Sequence, residues 1–139
     1  MNLPSIRAAC LVGLLYFIVG TAFASLAGAA GPGAMRTAVR MSAWAISAIV
    51  FLEHVRRERF RVGDSSRKAA LAAALAVALA GFGLAVVANV RAMTASPPHP
   101  SIGLKLSLGI WPIMLGIPAF VFAWMFAAVI RPRPSAELS

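Results

Sequence analysis

Between Ala8 and Met35 the chain runs for 28 residues without a charged side chain. A helix rises 1.5 Å per residue, and about 20 apolar residues cross the ~30 Å hydrocarbon core of a bilayer. Ala69 to Val90 gives a second uncharged run of 22 residues, and Leu106 to Ile130 a third of 25. A further segment is harder to place, because only 12 uncharged residues separate Arg40 from Glu53. If Arg36 and Arg40 reach toward one interface and Glu53 and His54 toward the other, residues 35–55 become long enough to cross. The sequence therefore predicts an all-α integral membrane protein, a four-transmembrane-helix bundle in a single membrane domain over residues 1–139. The spans fall near 7–30, 35–55, 68–91 and 104–130. The alternative is three spans, either with an interfacial second helix or with the first segment cleaved as a signal after Ala22-Phe23-Ala24. The apolar run continues well past that site, which favours a retained helix.

Composition agrees. The chain is 60% hydrophobic and 12% charged, with a mean hydropathy of +0.85. Soluble domains carry about 25% charged residues. One small core could not hide so much apolar surface, and disorder is excluded for the same reason. Thirteen basic residues stand against four acidic ones, for a net charge of +9. In a soluble chain this would point to nucleic acid. Here the basic residues flank apolar segments, so the expected partners are anionic lipid headgroups and not nucleic acid. The expected location is the cell membrane, as a multi-pass protein.

Orientation follows from the lysine and arginine bias. The connector over residues 56–68 holds Arg56, Arg57, Arg59, Arg61, Arg67 and Lys68, and the tail holds Arg131 and Arg133. Both belong in the cytoplasm, so four spans place the N-terminus with Arg7 inside as well. Local chemistry marks the boundaries. Gly31-Pro32-Gly33 reads as a turn, Asp64, Ser65 and Ser66 as caps for the third helix, and Ser96-Pro97-Pro98-His99-Pro100 as an extended loop.

Membrane helices associate through small residues. Gly20, Ala24 and Gly28 form such a face on the first helix, and Ala69, Ala72, Ala76, Ala80 and Gly83 on the third. Leu71, Leu75, Leu79, Phe82 and Val86 form a bulky stripe expected to face lipid or a partner. Pro112 and Pro118 interrupt the fourth helix's hydrogen bonding and mark a candidate hinge. Tyr16 needs a hydrogen-bond partner if buried, with Ser42, Ser47 and Ser107 as candidates.

Chemistry-bearing residues are few. The single cysteine, Cys10, excludes an internal disulfide and reads as a small buried apolar side chain. His54 and His99 sit at opposite faces in the four-span arrangement, so no metal or haem site is expected, and no cofactor. At the inner end of the second helix, Glu53, His54 and Arg57 form a candidate polar site. Glu53 can pair with Arg57, and His54 with Glu58. At the outer end Arg36, Arg40, Arg91 and Lys105 have no acidic partner in the chain. They are the candidate anion or lipid contacts, with Trp44 one turn beyond Arg40.

Known small membrane families need residues that are missing here. Four-helix multidrug exporters need a glutamate in the first helix, and disulfide-forming quinone enzymes need paired cysteines. The leading expectation is a non-catalytic subunit or scaffold that packs with itself, as a homo-oligomer, or within a larger membrane complex. The alternative is a small oligomeric transporter or channel for an anionic or amphiphilic solute. A lipid-modifying enzyme comes third, since Ser42, Ser47 and His54 are the only candidate reactive groups.

Overall fold

The structure, a computed structural model, describes residues 3–62, 65–99 and 101–130. It consists of four helices: α1 (Leu3–Ala29), α2 (Ala34–Val62), α3 (Ser66–Thr94) and α4 (Ile102–Val129). Each contains a stretch long and apolar enough to cross a membrane, the second being Ala34–Arg61. At 27 to 29 residues the helices are about 40 Å long.

The turn between α1 and α2 falls at Gly31-Pro32-Gly33. Gly31 and Gly33 adopt φ of 68° and 117°, open to glycine but strained for other residues. The backbone of α2 stays helical through residues 56–62. Ion pairs at helical spacing support that extension: Arg56 and Arg57 both hold Glu53, at 2.8 and 2.7 Å, and Arg61 holds Glu58 at 3.0 Å. Ser65 occupies the N-cap position of α3, yet its side chain makes no capping hydrogen bond. Its backbone carbonyl accepts from the amides of Lys68 and Ala69 instead. Asp64 lies outside the described residues, as do Arg131 and Arg133. A side-chain cap does form at α4, where Ser101 Oγ accepts from the Leu104 amide at 3.2 Å. Helix α4 continues through Pro112 and Pro118 without a break.

Helix α3 packs against all three others, most extensively against α4 and then α1. Among the described residues α1 and α4 do not touch, and α2 meets α4 only sparsely. The helices thus circle in the order α1, α2, α4, α3, with a loose seam between α2 and α4. The reason is side-chain size. The buried face of α3 is built from Ala69, Ala70, Ala72, Ala73, Ala76 and Ala80, so neighbouring backbones can approach closely. On α4 the matching residues are Ala119, Ala123 and Ala127.

The bulky stripe of α3 faces outward at Leu71, Leu79 and Phe82. The small-residue contact of α1 meets the sequence expectation in part: Gly20 lies against Leu84 of α3, but the rest of the expected face does not pack. Gly28 has open space around it and Ala24 is exposed, whereas Gly13 is buried against α3. A Cβ on Gly13 would stand 2.8 Å from the Ala76 carbonyl oxygen. Cys10 is exposed, not buried, because it lies off that contact face. The exterior is dominated by large apolar side chains such as Leu11, Ile49, Met114 and Phe122, and the interior by alanine.

Candidate functional site: a lateral groove with a basic mouth

Two adjoining cavities follow the loose side of the bundle. The first, of about 640 Å³, lies between α1 and α2 and is lined by Phe23, Ala27, Arg36 and Arg40, among others. The second, of about 870 Å³, lies between all four helices, with Phe51, Leu84, Leu115, Phe122 and Phe126 in its wall. They share Gly20, Ala43, Trp44 and Trp111 and so form one groove. Along α2 the groove runs from Arg36 to Leu52, a rise of about 24 Å. It exists because α2 is held at its ends and not along its middle.

Both ends are held by arginines. Arg36 Nε donates to the Ala27 carbonyl at 3.2 Å, and Arg59 Nε donates to the Ala127 carbonyl at 2.9 Å. Each carbonyl belongs to the last turn of a helix, where backbone acceptors have no partner within the helix. The arginines of α2 therefore cap the C-termini of α1 and α4, where the negative end of the helix dipole favours a cation.

Of the four candidate anion contacts, Arg36 and Arg40 meet at the groove mouth, while Arg91 and Lys105 are exposed elsewhere and line neither cavity. Arg36 is engaged by Ala27, but among the described residues Arg40 has no hydrogen-bond or ion-pair partner. Tyr16 lines the apolar part of the groove together with Ser47, and its hydroxyl is buried without a partner. The expected serine partners are engaged otherwise: Ser42 donates to Ala38, and Ser107 to Leu104. Asn89 bridges α3 to α4, donating to the Leu104 carbonyl at 2.6 Å. Of the proline pair, neither lines the groove, although Trp111 next to Pro112 does.

Glu53, His54 and Arg57 at the C-terminal end of α2 are not brought together as one site. Glu53 and Arg57 form a pair on the open side of the helix, whereas His54 is buried. Two further groups, Glu58 and Arg59, are buried there as well. Glu58 pairs with Arg61, and no hydrogen bond joins it to His54. The signal for this burial is present in the sequence. His54, Val55, Glu58 and Arg59 share one helical face, and the all-alanine start of α3 leaves room for long side chains beside it. No group of three or more potential metal ligands occurs among the described residues.

Comparison with known proteins returns no matching family model, no matching curated protein and no matching solved structure.

Proposed function

We propose that this is a non-catalytic, multi-pass membrane protein that binds an anionic amphiphile in the groove between α2 and α4. The observation that carries this reading is the continuity of the two cavities, charged at one end and apolar along the rest. Such a shape suits a molecule with an acidic headgroup and an acyl tail. Arg40 meets the headgroup phosphate or carboxylate with its free guanidinium, a charge-assisted contact. The Tyr16 hydroxyl and Ser47 offer hydrogen bonds part-way along, where an ester carbonyl would lie. Leu84, Leu115 and Phe122 receive the hydrocarbon. A purely scaffolding role for a larger complex would require no such groove.

Insertion is supported by the four apolar helices and by an exterior of large apolar side chains around an alanine interior. In aqueous solvent that surface would drive aggregation. The orientation we propose puts both termini in the cytoplasm. Arg7, Arg56, Arg57, Arg59, Arg61, Arg67 and Lys68 gather at one end of the bundle, and the rule of positive residues inside assigns that end to the cytoplasm. The groove mouth at Arg36 and Arg40 then opens in the outer leaflet, where a lipid can enter sideways through the seam.

Tryptophan fluorescence tests the reading. Trp44 and Trp111 line the groove, while Trp124 does not. In detergent, a brominated anionic amphiphile should quench the protein saturably, and a brominated zwitterionic one much less. Arg40→Gln should weaken the anionic response about tenfold, a loss of ~1.4 kcal/mol. Equal quenching by both headgroups, unaffected by Arg40→Gln, contradicts the proposal.

A further inference from the structure

A cluster of fully buried apolar residues lies at the C-terminal end of α2, where Val55 meets Ala69, Ala70 and Ala73 of α3 and Ala123 and Ala127 of α4. Into this apolar contact the chain places two titratable side chains. His54 is 5% exposed and Glu58 1%. They are four residues apart and so neighbours on one helical face. Glu58 gives one oxygen to Arg61, and its other oxygen, Oε2, has no partner; His54 Nε2 has none either. A buried polar atom left unpaired is costly. An imidazole nitrogen and a carboxylate oxygen become complementary when a hydrogen stands between them. The two orphaned atoms are each other's natural remedy.

Among the described residues, the other charged groups around this face are accounted for. On α2, Glu53 is held by Arg56 and Arg57 on the open side, and Arg59 is turned to the Ala127 carbonyl. Helix α3 contributes Arg67 and Lys68, both exposed, and the packed half of α4 contributes no titratable side chain. Arg7 of α1 is exposed at the same end.

We propose that His54 and Glu58 form a buried proton-binding site. A proton taken from water adds to the lone pair of Nε2 and then stands between Nε2 and Oε2, joining the pair, with Arg61 fixing the far oxygen. No other bond breaks, and the charge of the pair rises from −1 to 0. The site adjoins the groove, since Phe51 and Phe126 belong both to the groove wall and to the shell of this packed contact. The proposal does not depend on what occupies the groove.

The chain has only two histidines, and His99 lies in an exposed loop, so it serves as an internal reference. Nitrogen-15 histidine spectra of the full chain in detergent micelles would be followed through a pH titration. In the wild type, His54 Nε2 should show the shift of a hydrogen-bonded nitrogen once its proton is bound. Glu58→Gln should lower the proton affinity of His54 at least tenfold, because the facing carboxylate is lost, and leave His99 unchanged. Arg61→Gln, an exposed substitution that spares the packed contact, should raise the His54 proton affinity by removing a cation from the far side of the carboxylate. It keeps the question open to experiment if Glu58→Gln does not fold. A His54 midpoint that is identical in the wild type and in the variant that folds would overturn the proposal.

Discussion

Gly13 and Gly28 look alike in the sequence, each a glycine in the first apolar run, and the structure gives them different work. A Cβ at Gly13 would press on the Ala76 carbonyl at 2.8 Å and on Leu79 Cβ at 3.1 Å, while Gly28 has nothing within 4 Å. Backbone atoms cannot swing aside. Gly13→Ala should therefore destabilise the fold by about 1–3 kcal/mol, and Gly28→Ala should shift it by less than ~0.5 kcal/mol. Thermal unfolding of the two variants in the same detergent checks the contrast. The spacing of small residues on α1 pointed instead to Gly20, Ala24 and Gly28. Periodicity shows that a small face exists but not where a neighbouring axis crosses it. The crossing depends on both helices, and only the three-dimensional arrangement supplies it. Tyr16 is a similar case. Its need for a partner could be read from chemistry, but its position facing a cavity could not.

At the scale of the element, α2 behaves unlike the others. Arginines hold its two ends to the C-termini of α1 and α4. Arg59→Met keeps the apolar stem but loses the hydrogen bond to Ala127. It should cost about 1–3 kcal/mol because a buried acceptor is left unpaired. Arg57→Met removes an exposed pair with Glu53 and should cost at most ~1 kcal/mol. Chemical unfolding of both variants, with hydrogen exchange at residues 55–59 as a local readout, separates the two roles. Four helices and the glycine turn between α1 and α2 were readable from apolar run lengths and turn residues. The helical course of residues 56–62 was less so, because a block of arginines suggests a solvated connector. Glu53 and Glu58, each within reach of an arginine three or four residues on, make that block a stable helix end. Arg36 and Arg40 were readable as cations without acidic partners. That one of them caps α1 while the other stays free depends on a backbone acceptor the sequence does not reveal.

At the scale of the whole molecule, topology and binding are linked, because the groove mouth and the arginine-rich end lie at opposite ends of α2. Single cysteines placed in a Cys10→Ala background test the orientation. Ser96→Cys, between α3 and α4, should react with a membrane-impermeant maleimide in intact cells. Ser65→Cys, between α2 and α3, should react only after permeabilisation. The reverse pattern would place the groove mouth in the inner leaflet. The order of helices around the bundle was not deducible from the pattern of apolar runs. It follows from the alanine faces of α3 and α4, which draw those two together and leave α2 with an open flank.

Native mass spectrometry of the purified protein offers the most direct measurement of groove occupancy. After exchange from anionic lipid into mild detergent, the wild type should retain one anionic lipid per chain, and Arg40→Gln should retain at least tenfold less. Zwitterionic lipid should be lost from both. Equal retention of the two headgroup classes, or retention untouched by Arg40→Gln, would contradict an anionic amphiphile in the groove.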